Sequence, residues 1–158
     1  MKRRKRTNKE VPAKGRLRDM ADRVWSLAVK HDWAWLCAVC GSQSSLNSHH
    51  IIPREHKTWT YKLRNGICLC SYCHVRHVDH SPHVNAAGWM LWLKDAHPAL
   101  ERWYTETTAT QEYKRFHGTI NAEYYCGVLR RLRQYVEPEE FERIVGIKFA
   151  RWLEKNDG

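Results

Sequence analysis

Acidic residues are scarce in this chain, and long apolar runs are missing altogether. No stretch approaches the ~18 apolar residues that a membrane-spanning helix requires, so a spanning protein is not expected. The amino terminus, Met1 to Arg6, is charged, but no apolar segment follows it, so it does not read as a secretory signal. Low-complexity tracts and internal repeats are absent. Hydrophobic residues make up 42% of the sequence and Trp alone counts 8, a composition that excludes an intrinsically disordered protein. The expectation is a cytoplasmic protein in a reducing compartment (host cytoplasm if phage-encoded), and its 6 cysteines need an explanation other than disulfides.

The 158 residues suit one domain, or one domain plus a tail. There are 27 Lys and Arg against 17 Asp and Glu, a net charge of +10. The excess is concentrated. Residues 1–18 hold nine basic residues and one acidic, while the remaining 140 carry 18 basic and 16 acidic. Lys2, Arg3, Arg4, Lys5 and Arg6 therefore form a basic arm, suited to neutralising phosphates with sequence-blind, salt-sensitive affinity for DNA. The alternative is a solubilising tail.

Hydrophobic periodicity predicts a helix from Arg16 to Lys30, with Leu17, Met20, Ala21, Val24 and Ala28 on one face. Short strands are expected near 46–52 and 66–69, separated by a polar, aromatic loop. Ser71 is the expected N-cap of a helix carrying Tyr72 to Val78. The remainder reads as helical: 85–95, a piece from Pro98 to about 105, 119–136, and 138–155. The expected organisation is a basic disordered arm (1–14), an N-terminal helix (15–34), a core with structural zinc (35–82) and a helical C-terminal region (83–158). The two amphipathic helices at 119–136 and 138–155 are candidate surfaces for a homodimer or for a phage protein partner.

Cys37-x2-Cys40 and Cys70-x2-Cys73 are two knuckles, the pattern by which four thiolates hold one tetrahedral Zn²⁺. Cys68 lies outside the knuckle pattern and is expected to pack as a small hydrophobe. Between the knuckles lies His49-His50. Adjacent strand residues point to opposite faces, so one imidazole can bind a cation while its neighbour takes a proton. His74 directly follows a zinc cysteine, which fixes its position. A metal on His49 and His74 would leave coordination positions for phosphate and water.

Taken together, Cys37-x2-Cys40, His49-His50-Ile51-Ile52-Pro53, Asn65-Gly-Ile-Cys-Leu-Cys70 and Ser-Tyr-Cys73-His74 resemble the HNH endonucleases of the ββα-metal (His-Me finger) fold. They are most similar to the zinc-containing type found in bacteriophages and mobile elements. The resemblance covers about a third of the chain. It implies an α+β fold: a ββα-metal core with a four-cysteine zinc knuckle, flanked by an N-terminal helix and a helical C-terminal half. It implies His50 as general base, Asn65 as the residue that pins the loop and orients the base, and His49 and His74 as ligands of a catalytic divalent ion. Some members carry a further ligand four residues after the last histidine. That position here is Val78, which leaves His77, three residues on, as the candidate third ligand. His80 and His83 read as loop residues.

The implied cofactors are one structural Zn²⁺ and one catalytic divalent cation (Mn²⁺, Ni²⁺, Mg²⁺ or Zn²⁺). Imidazole ligands favour Mn²⁺ or Ni²⁺ over Mg²⁺. The implied reaction is hydrolysis of DNA to 5′-phosphate and 3′-hydroxyl ends, in packaging, recombination or homing. Arg54, Lys57 and Arg76 are candidates for flanking phosphates, and Trp59 for meeting a base. The competing reading is a non-catalytic, zinc-stabilised DNA- or protein-binding module. It accounts for the cysteines and the arm but not for His49, His50, Asn65 and His74 at these spacings.

Overall fold

A computed structural model of the chain describes residues 11–156. The basic residues 2–6 lie outside the described residues. The elements are α1 (Lys14–Asp32), β1 (Leu46–His50), β2 (Gly66–Cys70), α2 (Ser71–Val75), α3 (Ala86–Ala96), α4 (Pro98–Thr108), α5 (Ala122–Leu132), α6 (Pro138–Val145) and α7 (Ile147–Lys155). Among the described residues no helix is long and apolar enough to cross a membrane.

The chain divides into two compact units. One runs from Trp25 to Gly118. The other joins the chain up to Val24 with everything from Thr119 on. The boundary falls inside α1.

The 25–118 unit is built on an antiparallel hairpin, with Leu46 paired to Cys70, His49 to Ile67 and His50 to Gly66. α2 follows β2 without a break and completes a ββα core in an α+β setting. All five β2 residues are buried, as expected of a strand covered on both faces. Ile67 and Leu69 pack with Ile51, Trp89 and Leu93, so α3 closes one side of the hairpin. On the other side the Ser48 hydroxyl donates to the Ser26 carbonyl at 2.8 Å, and Trp33 Nε1 donates to the Gly66 carbonyl at 3.1 Å. The second half of α1 is thereby anchored to the hairpin.

The other unit is helical. Its buried residues include Leu17 and Val24 of α1, Val128 and Leu129 of α5, Phe141 of α6, and Phe149 and Leu153 of α7. The helix expected at 138–155 is two helices. Gly146 divides them at φ 87°, ψ 137°, a conformation that side-chain-bearing residues rarely adopt.

The short helix after the second knuckle also differs from expectation. Its N-cap is Cys70, whose sulfur accepts from the Cys73 amide, rather than Ser71. The Ser71 hydroxyl instead donates to the Ser45 carbonyl and accepts from Asn47. The helix stops at Val75 because the amides of Arg76 and His77 both turn back onto the Tyr72 carbonyl.

Candidate metal and catalytic site

The knuckle cysteines converge. Cys37, Cys40, Cys70 and Cys73 place their sulfurs all within 4.8 Å of one another, and Cys40 Sγ lies 3.8 Å from Cys70 Sγ. Four sulfurs at about 2.3 Å from a tetrahedral zinc are about 3.8 Å apart, so the spacing fits that ion. The first knuckle is shaped by backbone bonds from Cys37 N to Ser42 O and from Gly41 N to Cys37 O, both 2.8 Å, with Gly41 at φ 71°. Burial pushes the Cys37 thiol up, but the amides of Cys70, Cys40 and Val39 outweigh it and bring it down to about 7. Burial pushes the Cys73 thiol up. Four adjoining thiolates would repel one another strongly, and a divalent cation is the group that offsets this. Cys68 stands outside the cluster, fully buried, its thiol raised to about 11 by burial.

His49 and His50 leave β1 on opposite faces. On one face, His49 Nδ1 lies 3.1 Å from His74 Nε2, and His83 Nε2 lies 3.1 Å from that same atom. The three rings meet edge to face, and Trp89 packs its ring against His49 with centroids 5.9 Å apart. An imidazole nitrogen has a single lone pair, so His74 Nε2 cannot accept two full hydrogen bonds. Three nitrogens gathered this closely could instead serve as the donor set of a cation. Nitrogens at about 2.1 Å from a shared metal lie roughly 3.0 to 3.4 Å apart, depending on geometry, and 3.1 Å falls in that range. Burial and then the neighbouring imidazoles of His74, His83 and His50 hold His49 down to about 3. His74 is lowered by burial and by His83. Both rings are thus neutral at physiological pH, the form that binds metal.

His83 is the residue that sequence reasoning missed. It sits nine positions after His74, beyond any helical relation, and only the fold of the intervening loop brings it back. Ser81, fully buried, does the folding. Its hydroxyl donates to the His74 carbonyl at 2.7 Å and accepts from the amides of His83 and Val84 at 3.3 Å. Asn85 then caps α3 by accepting from the Gly88 amide, while its Nδ2 donates to the Val78 carbonyl. Gly88 is needed at this crossing, since a Cβ there would stand 2.1 Å from the Asp79 carbonyl oxygen. His77 is not brought to the three-histidine cluster. With α2 ended at Val75 it lies off the helix, its ring stacked on His80 and its Nδ1 accepting from the amides of Asp79 and His80.

On the opposite face, His50 stacks on Trp25 with centroids 3.8 Å apart and planes within 10°. His50 Nε2 is 3.0 Å from the Thr60 carbonyl. A carbonyl only accepts, so Nε2 carries the proton and Nδ1 the lone pair. Asn65 holds the loop that supplies this carbonyl. Fully buried, it accepts from the Ile52 amide at 2.6 Å and donates to the carbonyls of Ile52 and Trp59 at 2.9 and 3.1 Å. Thr60 adds a hydroxyl bond to the Arg54 carbonyl at 2.8 Å.

The cationic candidates are more dispersed. Arg54 and Arg76 are exposed, and Lys57 is half-buried with its ammonium on the Arg54 carbonyl. Trp59 does not stand out for a base. Its Nε1 donates to the Tyr113 carbonyl at 3.1 Å and its ring meets Trp103 edge-on.

A family model described as HNH endonuclease matches residues 37–80 of the chain. That segment, an HNH endonuclease domain, spans both knuckles, the hairpin and α2. HNH domains are usually nucleases that act on DNA. No curated protein and no solved structure matches this chain. His83 lies beyond the matched segment, as do α3 and the rest of the helical C-terminal part.

Proposed function

We propose that the chain is a metal-dependent DNA endonuclease, with His50 as general base and His49, His74 and His83 holding the catalytic ion. The observation that carries this is the division of labour at two neighbouring strand positions. His49 joins a three-nitrogen donor set, and His50, on the other face, is locked in the tautomer whose Nδ1 holds the lone pair.

His50 Nδ1 takes a proton from a water molecule, whose oxygen attacks phosphorus. The bond from phosphorus to the 3′-oxygen breaks, and that oxygen is protonated by solvent, leaving 5′-phosphate and 3′-hydroxyl ends. Trp25 fixes the plane of the His50 ring, and its electron-rich face favours the imidazolium formed as the proton transfers. The Thr60 carbonyl keeps accepting from Nε2 throughout, so the base need not reorient. When bound, a divalent cation on the three imidazoles supplies positive charge to the scissile phosphate and the departing oxygen. An all-imidazole donor set favours Mn²⁺, Ni²⁺ or Zn²⁺ over Mg²⁺. Zn²⁺ on the four cysteines is structural, since no coordination position stays open. The likeness to zinc-containing enzymes of bacteriophages and mobile elements makes packaging, recombination or homing the expected setting.

The test is cleavage of supercoiled plasmid and of a branched DNA with Mg²⁺, Mn²⁺ or Ni²⁺, alongside His50→Ala. Cleavage should fall by about 10²- to 10⁴-fold with zinc content and DNA binding retained. Undiminished cleavage would remove His50 from the reaction. One zinc per chain and no cleavage with any metal would identify a binding module instead.

A further inference from the structure

The helical unit holds a groove of about 880 Å³, the work of a single stripe on α7. Lys148, Arg151, Trp152 and Lys155 recur at the 3, 4 and 7 spacing that puts residues on one helix face, and all four line the groove. Arg16, from the first turns of α1, contributes a fourth cation. None of the residues lining the groove is acidic. Among the described residues none of these four cations has an ion-pair partner, although Arg133–Glu154, Arg130–Glu123 and Arg143–Glu140 pairs form elsewhere in the same unit. The one acidic residue of α7, Glu154, is thus taken by Arg133 and does not neutralise the stripe. Four exposed cations gathered unpaired around a concavity repel one another, and an anionic ligand is what relieves that repulsion.

The aromatic residues decide which kind of ligand. Phe149 is buried and stacked on Trp152, with centroids 5.6 Å apart and planes within 17°, and the Arg130 guanidinium lies 5.9 Å from the Trp152 ring centre. The Trp152 ring is already packed, so it forms a floor rather than a platform for an unstacked base. What remains on offer is charge along a line. From Lys148 to Lys155 the stripe advances about 10 Å along the helix axis. Measured along the duplex axis, where one strand carries a charge about every 3.4 Å, that length faces about three charges.

We propose that this groove is a second DNA site, which holds the phosphate backbone of duplex DNA without reading its sequence. The choice of DNA over other polyanions rests on the nuclease reading above; the groove itself does not.

The experiment measures affinity of the full, zinc-loaded chain for a labelled duplex as a function of salt, without added divalent cation. The variant is the triple substitution Lys148→Gln, Arg151→Gln, Lys155→Gln, with Lys148→Arg, Arg151→Lys, Lys155→Arg as the charge-keeping control. Circular dichroism confirms the fold of each. Each lost phosphate contact lowers the slope of log affinity against log salt by about 0.9, so the Gln variant should lose about 2 to 3 from the slope and at least about tenfold in affinity. The control should keep the slope, and two duplexes of unrelated sequence should behave alike. An unchanged slope in the Gln variant overturns the proposal, as does groove-dependent binding to anionic lipid vesicles with none to duplex. A chain that cuts DNA while the Gln variant binds unchanged overturns the groove and leaves the nuclease standing. Groove-dependent binding by a chain that cuts nothing supports the groove and overturns the nuclease.

Discussion

Asn65→Ala is the substitution whose consequences the structure fixes best. Asn65 is fully buried and satisfies three backbone groups at once: the Ile52 amide, the Ile52 carbonyl and the Trp59 carbonyl. Alanine leaves all three without the partner that Asn65 provided. A buried polar group left unsatisfied costs about 1 to 3 kcal/mol. Three such groups together cost about 3 to 9 kcal/mol, and water entering the vacated space to bond one of them keeps the expected loss at about 3 to 5 kcal/mol. Against the roughly 5 to 15 kcal/mol that holds a typical domain together, this is severe but survivable. Urea unfolding of the zinc-loaded protein, followed by tryptophan fluorescence, reads the loss in the right place, because seven of the 8 tryptophans lie between residues 25 and 118. The same variant should lose cleavage below its unfolding range. The loop that Asn65 pins presents the Thr60 carbonyl to His50, and a displacement of about 1 Å in such a contact costs on the order of 10²-fold in rate. A stability loss under about 1 kcal/mol together with unchanged cleavage would show that Asn65 neither holds the loop nor orients the base.

Three further outcomes follow from the same geometry. Ser81→Ala frees the His74 carbonyl and the His83 amide together, and should weaken Mn²⁺ or Ni²⁺ binding by about 10- to 100-fold while zinc content stays at one per chain; calorimetry with each ion measures this. His83→Ala should impair the same binding at least as much and His77→Ala should not, since only His83 faces His74; equal effects of the two would refute the assignment of ligands. Cys40→Ser should release zinc and lower the unfolding temperature of the 25–118 unit, and chelator treatment of the unsubstituted chain should do the same, as inductively coupled plasma analysis and thermal melts would show.

How far the sequence disclosed this site depends on the range of the contact. The zinc cysteines, the hairpin and the opposition of His49 and His50 follow from spacing alone: two-residue gaps in the knuckles, and a strand's period of two. Those relations are local, and the structure shows them as sulfurs within 4.8 Å and as two imidazoles on different faces. The third histidine was not local. Reading α2 as a helix through Val78 makes His77 the natural candidate, but the helix ends three residues earlier and His77 is not brought to the three-histidine cluster. That ending has no proline or glycine to announce it. It is set by the Tyr72 carbonyl taking two amides and by Ser81 capturing the His74 carbonyl from seven residues away. A serine between Asp79-His80 and Pro82 reads as an ordinary turn residue, and only burial and three hydrogen bonds show it to be the clasp.

The division of 138–155 was hidden in a different way. Apolar residues keep helical spacing across the whole segment, so periodicity alone cannot see the break. Gly146 is the one signal, and a glycine within a helical pattern is ambiguous until its φ is known. The break matters for function. A continuous helix would carry Lys148, Arg151 and Lys155 on in the direction of α6. At Gly146 the chain adopts φ 87° and starts a new helix, and the three cations line a concavity with Arg16 in place of a convex helix surface. Charge that looks dispersed along the sequence becomes a local field only through that turn. For the same reason the sequence-level count, +8 in the first 18 residues and +2 in the rest, understates the C-terminal helices: the acids that balance them in the sum, such as Glu154 with Arg133, are spent on other partners.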